Sequence, residues 1–452
     1  MTEIQQHAQI ACKERANFLE WAISPYGAAL LSGVIFFGAW LLPPSIYRAG
    51  LDEPDYLWLD SRSFLFFTSC LVAFVLGARL TDKKVRFQRR DPVPEHVSPA
   101  PYILLPLLAA LIFGLVGVLL ILREQPQILA ALLSGSGQNI KGDLIEVALP
   151  AGIAAAGSAM LAVLYWGMNA YFALTESRHK KIVGWVLVSY VALSFVIAMV
   201  KVSRNDLMTL VIGILIIRIA NGIRTGHTTI REIKLAAKAS GGLVVLFLMM
   251  SLLRGTSSDE LLGNFLGYTI SGYNRMAAIL QHQIPYFDAG NGDHLFNGIL
   301  QNRTINGLIP FQNMYQLPDQ LDVWLNDFEA VGLAGFVPQY TFASCFGFIF
   351  IDAGWLTPAV VFLCGVFSGY MWRCFKQSRT IGVVIYPMVF FSILMWFGTN
   401  MLISMNTVIF LLTTLALLVY ESFFKLSVFA TSGIRTTSLQ NIVDPSLPSK
   451  RI

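Results

Sequence analysis

Apolar runs of about 20 residues alternate with short polar connections along most of the chain. They fall at 26–43, 62–80, 101–123, 148–174, 182–200, 205–222, 241–254, 355–374, 382–400 and 404–424. A helix needs about 20 mostly apolar residues to cross the hydrocarbon of a bilayer. The pattern therefore predicts about ten spanning helices, with 241–254 borrowing flanking residues to reach length. One interval breaks the rhythm. Residues 255–354 form a connection of about a hundred residues, and connections that long carry structure or function of their own. Within it, Leu261–Leu280 and Val331–Ile351 are apolar but interrupted, the first by Gly267, Gly272, Asn274 and Arg275, the second by Gly332, Gly335 and Pro338. Broken segments must be buried in protein or line a wet cavity, so helices that lie in the interface or re-enter the membrane are expected here, with up to twelve spans if both cross.

Composition turns this pattern into a class. The chain has 452 residues, 55% hydrophobic and only 13% charged, with a mean hydropathy of +0.61. Soluble domains carry about 25% charged residues. The deficit predicts an all-α polytopic membrane protein with lipids around it, and excludes a nucleic-acid binder, a disulfide-stapled secreted domain and a disordered scaffold. The net charge of +5 reports orientation rather than an acidic partner. With the N-terminus inside, 23 of the 32 lysines and arginines fall on the inner side, the distribution that cytoplasmic loops favour. The expected organisation is a cytoplasmic segment over 1–24, helices one to seven over 25–254, a large outer loop over 255–354, helices eight to ten over 355–424, and a cytoplasmic tail over 425–452. Cys12, Cys70, Cys345, Cys364 and Cys374 form no CxxC pair and read as packed thiols.

Ionisable residues at or inside membrane depth are functional candidates because they are expensive to place there. Arg204, Arg254 and Arg275 lie on the outer side, with Arg303 as a fourth member. Guanidinium forks match phosphate oxygens two at a time, so this group predicts an anion-binding cluster. Alone, Arg204 reads as a boundary residue paired with Asp206, and Arg254 as a snorkelling interfacial arginine. Arg275, inside an apolar stretch, needs a carboxylate, phosphate or carbonyl partner. His294 is either a solvated loop histidine or a general base. Asp352 is an N-cap of the eighth span, with room for a site role on top. Asp319, Asp322, Asp327 and Glu329 read as a solvated acidic loop. No nucleotide-binding glycine loop, HExxH motif or cytoplasmic DxD pair occurs. Any chemistry is therefore expected outside, arginine-centred, and free of metal or other cofactor.

At these residues the chain resembles the O-antigen polymerase group of oligosaccharide repeat-unit polymerases, including the enterobacterial common antigen polymerases. The resemblance rests on Ser203-Arg204-Asn-Asp-Leu opening a span, Leu-Leu-Arg254-Gly closing the next, Gly272-Tyr-Asn-Arg275, the long outer loop, and Tyr340-Thr341 followed by Phe348-Ile-Phe-Ile-Asp352-Ala-Gly354. It implies a multi-spanning, GT-C-like glycosyltransferase of the bacterial inner membrane. Such an enzyme joins undecaprenyl-diphosphate-linked oligosaccharide repeats, donor to acceptor, at the periplasmic face, and works alongside a chain-length regulator. Arg204, Arg254 and Arg275 would hold the diphosphates, His294 or Asp352 would act as base, and Arg303, Tyr340 and Thr341 would be accessory. The related O-antigen ligases place a histidine near Gln339-Tyr340-Thr341. None stands there in this chain, which raises Asp352 over His294. Two other readings are a flippase for lipid-linked glycans, which would place charges near the bilayer midplane, and an O-antigen ligase.

Overall fold

The structure is a computed structural model. It describes residues 14, 16–51, 57–82, 85–88, 99–124, 126–127, 151–174, 178–200, 204–226, 261–286, 290–301, 303–307, 309–338 and 340–432, with scattered positions between 234 and 249. All regular structure among the described residues is helical. The helices are α1 (Ala16–Ala22), α2 (Pro25–Trp40), α3 (Pro44–Leu51), α4 (Ser61–Thr81), α5 (Pro99–Glu124), α6 (Ala151–Ala173), α7 (Arg178–Val200), α8 (Arg204–Thr225) and α9 (Leu261–Leu280). They continue as α10 (Asp293–Leu300), α11 (Arg303–Asn306), α12 (Phe311–Tyr315), α13 (Gln320–Leu333), α14 (Ser344–Ala353), α15 (Thr357–Lys376), α16 (Thr380–Leu394) and α17 (Met405–Ser432).

Among the described residues, six helical stretches are long and apolar enough to cross a membrane, or seven when α1 and α2, bent by 64° from one another, are one span. That is fewer than the ten runs read from the sequence, for identifiable reasons. Residues 241–254 lie almost wholly outside the described residues. The 148–174 run forms α6, a helix of 23 residues. The side chains of its first five residues lie outside the described ones, and the remainder, diluted by Ser158, Trp166 and Asn169, is largely buried among other helices. The 382–400 run stops short: α16 has 15 residues, about 22 Å of helix, against a hydrocarbon core of about 30 Å. Beyond it, residues 395–404 follow an irregular path pinned to α14, where the Cys345 N–H donates to the Trp396 carbonyl at 2.8 Å. Irregular backbone at such depth is tolerated only when protein surrounds it.

Small residues let helix backbones touch where lipid offers no hydrophobic drive for association. Helices α4 and α15 run parallel in this way. A Cβ on Gly77 would strike the Phe362 carbonyl, and one on Gly365 the Phe74 carbonyl. Thr81 adds a hydrogen bond to the Val366 carbonyl at 2.8 Å. Helix ends assigned to the lysine- and arginine-rich side meet one another. Lys376 pairs with Asp82 at 2.7 Å, Arg224 donates to Asn169 and to the Phe375 carbonyl, and Glu421 accepts from Trp166 and Thr380. The alternation of spans read from the charges therefore has a physical counterpart. The cysteines Cys70, Cys345 and Cys374 are free and buried, and Cys364 is free and half-buried; Cys12 lies outside the described residues.

The interval 255–354 departs most from expectation. Gly267, Gly272, Asn274 and Arg275 do not interrupt α9, which runs unbroken for 20 residues. Its second half, from Ser271 to Leu280, is buried throughout, so it is an inner element of the bundle and not a helix lying on the interface. Helical backbone satisfies itself, and the polar side chains find protein partners instead. Gly272 lets the Phe397 carbonyl approach, Tyr273 reaches the Ser32 carbonyl at 3.3 Å, and Asn274 bridges the Tyr47 hydroxyl and the Trp58 N–H. The second apolar stretch does break, at the turn between α13 and α14. Helix α14 then joins α15 through a 3-10 turn at Gly354–Leu356, and the two together form one 33-residue candidate span.

Candidate functional site

Three helices of the long interval place one histidine between two carboxylates. His294 sits in the first turn of α10. Its Nε2 lies 2.8 Å from Oδ1 of Asp327 on α13, and its Nδ1 lies 3.9 Å from Oδ1 of Asp352 on α14. The imidazole is 3% exposed, Asp352 3% and Asp327 11%. Aromatic rings close the other faces. Phe348 stacks on the imidazole at 5.8 Å and Tyr286 meets it edge-on at 5.4 Å.

Burial alone would lower the pKa of this imidazole, but hydrogen bonds and charge from Asp327 and then Asp352 outweigh it and push it up to about 9. His294 is therefore an imidazolium near neutral pH, with no lone pair to accept a proton. The two carboxylates stand against opposite edges of the ring and do not converge on one point, and among the described residues no group of three such side chains is arranged to hold a metal ion.

Asp352 does not cap the helix that the sequence suggests. It lies near the C-terminal end of α14, and α15 starts without a side-chain cap. Its carboxylate instead caps α10, accepting from the Leu295 N–H at 2.6 Å and the Gly292 N–H at 3.2 Å. A carboxylate is favourable there because the first amides of a helix have no partner and carry partial positive charge. The next residue after the cap region, Asp293, is buried and accepts from Gln301 at 2.5 Å.

Arg275 is fully buried on α9. Its Nη2 donates to the Val337 carbonyl at 3.2 Å, and its guanidinium lies 5.2 Å from the centre of the Phe336 ring. Tyr286 connects it to the histidine. Burial, first, and then Asp327 raise the Tyr286 hydroxyl's pKa, while the Arg275 charge lowers it. The described core thus holds three buried carboxylates, Asp293, Asp327 and Asp352, against two cations, His294 and Arg275.

The remaining expected site residues divide. Tyr340 packs with Tyr47 and Leu266, its ring flat against Gly267, and Thr341 is buried beside it; both belong to the segment that covers Arg275, not to the histidine group. Arg204 opens α8 and Arg303 opens α11, but their side chains lie outside the described residues, as does the whole of Arg254. The expected arginine cluster is therefore described at Arg275 alone.

Asp327 and Tyr286 are the participants that sequence reasoning missed. Asp327 carried a signal. With Val323, Ala330 and Val331 it forms a buried stripe on α13 at the i, i+4, i+7, i+8 spacing of an amphipathic helix. A carboxylate in an apolar stripe is not part of a solvated loop. No family model matches this chain, and no curated protein or solved structure is similar to it.

Proposed function

We propose that the protein is a polysaccharide polymerase of the O-antigen type. It would join undecaprenyl-diphosphate-linked oligosaccharide repeats at the outer face of a bacterial inner membrane, as a metal-independent, GT-C-like glycosyltransferase. The observation that carries this reading is the acid–histidine–acid group with a buried arginine beside it, built by the one long interval between spanning helices. Transfer of a glycan from a lipid diphosphate needs an acceptor hydroxyl deprotonated or oriented, and charge on the departing diphosphate stabilised.

In this reading Asp327 is the base. It is the better exposed of the two carboxylates, whereas both oxygens of Asp352 accept backbone N–H groups from the α10 turn. His294, held as imidazolium, orients Asp327 and keeps it anionic. Asp352 fixes α10, and with it the imidazole, so its role is positioning. Arg275 sets the local potential and, with Arg204, Arg254 and Arg303, is assigned to the diphosphates. The flippase reading would draw on buried ionisable groups within candidate spans, but those described are engaged: both oxygens of Glu421 by Trp166 and Thr380, both of Asp352 by backbone N–H groups, and Lys376 by Asp82.

The test is turnover by the purified protein in nanodiscs. Incubation with undecaprenyl-diphosphate-linked repeats, without added metal, should give a ladder of longer lipid-linked glycans. Absence of elongation together with movement of the substrate between leaflets would replace the polymerase by a flippase. Elongation that needs lipid A core as acceptor would replace it by a ligase.

A further inference from the structure

The described core sets three carboxylates, Asp293, Asp327 and Asp352, against His294 and Arg275, so it offers no net positive charge to a diphosphate. An additional cation must meet it. Arg62, in the first turn of α4, is exposed, and its guanidinium lies over the Trp355 ring, 5.3 Å from the centroid. Stacking of this kind uses the guanidinium face and leaves the in-plane N–H groups able to donate. No described carboxylate pairs with it. The nearest in sequence, Asp60, is committed to the capping box of α4 with Ser63.

Arg62 stands at the head of a groove of about 510 Å³ lined by Ser61, Arg62, Leu65, Phe66, Ser69 and Trp355. The lining descends α4 from Ser61 to Ser69, about 12 Å along the axis, with Ser61 and the one charged group, Arg62, at the top, Leu65 and Phe66 below them, and the Ser69 hydroxyl at the foot. Phe66, Phe350 and Trp355 form an aromatic wall, each pair edge-on within 6.0 Å. Leu65 and Leu356, 67% and 71% exposed, extend the apolar surface sideways. The groove also adjoins the core: Trp355 follows Asp352 by three residues, across the turn at Gly354.

We propose that this groove is the lateral docking site for the polyprenyl-phosphate carrier of the substrate, with the phosphate on Arg62 and the chain running down over Leu65 and the aromatic wall. A single cation at one end of a groove that is otherwise uncharged, walled by Leu65, Phe66 and Trp355 and open to the side, complements an anionic head on a hydrocarbon tail. The identity of the carrier rests on the polymerase reading; the anionic-lipid chemistry rests on the groove.

The test replaces Leu65 by the photo-crosslinker p-benzoylphenylalanine in full-length protein reconstituted in nanodiscs, with radiolabelled undecaprenyl phosphate as probe. Illumination should label the protein, and Arg62→Gln in the same background should lower labelling about tenfold, with Arg62→Lys in between. A crosslinker at Leu115, exposed on α5, should show no dependence on Arg62. Labelling indifferent to Arg62→Gln, in protein of normal chromatographic profile, overturns the proposal. So does equal competition by phosphatidylglycerol, which would make the groove a seat for bulk lipid. The two readings fail separately. Arg62-dependent labelling without chain elongation by the unsubstituted protein removes the polymerase and leaves a lipid-phosphate site. Normal elongation with Arg62-independent labelling removes the groove alone.

Discussion

The pairing of His294 with two carboxylates makes the docking of α10 depend on pH, and the sign follows from the direction of the shift. The pKa rises from an ordinary 6.5 to about 9 in the folded protein. The charged form is thus favoured by folding, and its contribution is full below pH 6.5, declines between 6.5 and about 9, and is gone above that. A shift of that size corresponds to about 3 kcal/mol at full strength. The groups facing the imidazole are Asp327, Asp352 and Tyr286, and burial holds the Tyr286 hydroxyl well above its ordinary value, so it stays neutral across the window. Histidine is then the titrating member.

Helix α10 is eight residues long and too short to persist without its tertiary partners. Its amide protons therefore report the strength of the His294 contacts directly. Hydrogen exchange of residues 293–300 in nanodiscs, corrected for the intrinsic pH dependence of exchange, should show protection about two orders of magnitude lower at pH 9.5 than at pH 6. His294→Gln keeps a donor toward Asp327 but cannot carry charge. It should show the lower protection at both pH values. Protection that is flat with pH in the unsubstituted protein would refute the imidazolium assignment, as would an identical pH profile in His294→Gln.

Other consequences separate the residues by role. Asp327→Asn should abolish chain elongation and, because it removes the main charge that holds the imidazolium, lower α10 protection at pH 6 toward that of His294→Gln; retained elongation removes Asp327 as base. Asp352→Ala should instead lower α10 protection by the usual value of a lost cap, about 1 kcal/mol, and Asp352→Asn should recover part of it together with part of the activity. Arg275→Ala should leave cells with lipopolysaccharide capped by single repeats and no ladder, at normal protein levels, and an unchanged ladder on a gel would end its assignment. Gly365→Ala drives a methyl into the Phe74 carbonyl, whereas the equivalent change at Gly38 meets nothing within 4 Å. The first should lower the melting temperature in detergent by an overpacking cost of about 1–3 kcal/mol, the second should leave it unchanged, and equal behaviour would contradict the α4–α15 contact.

What was legible in the sequence follows from which forces act locally. Apolar run length and charge bias are local or additive, and they return the helical class and the alternation of ends that Lys376 with Asp82 and Arg224 with Phe375 display. Length in a run, however, does not say where a helix stops. The apolar run continues past Leu394 through Met395, Trp396 and Phe397 before Gly398, Thr399 and Asn400 dilute it, and the path there is set by the contact of Trp396 with Cys345, fifty-one residues earlier. The glycines of α9 misled for the complementary reason. Gly272 looks like a break, but in the fold it is where the Phe397 carbonyl approaches, and a helix with a required small residue and one with a break look alike until the neighbour is known. Asp352 shows the same limit in a polar group: its spacing before a span suggests a cap, and it is one, for a helix almost sixty residues away in sequence.

That last case bears on how the site is built. Gly272, Tyr273, Asn274 and Arg275 are successive residues on one turn of α9, and each faces a different segment: the irregular stretch after α16, α2, the α3 to α4 connection, and the turn before α14. One helical turn therefore fixes the relative positions of four segments, one of which leads directly into the helix carrying Asp352. A residue there can abolish activity either by touching substrate or by loosening the frame, and Arg275, fully buried on a carbonyl and an aromatic face, is placed to do both. The two are separable because the frame has its own reporter. Loss of elongation in Arg275→Lys with α10 protection unchanged assigns Arg275 to the chemistry, and parallel loss of both assigns it to the scaffold that holds His294 between its carboxylates.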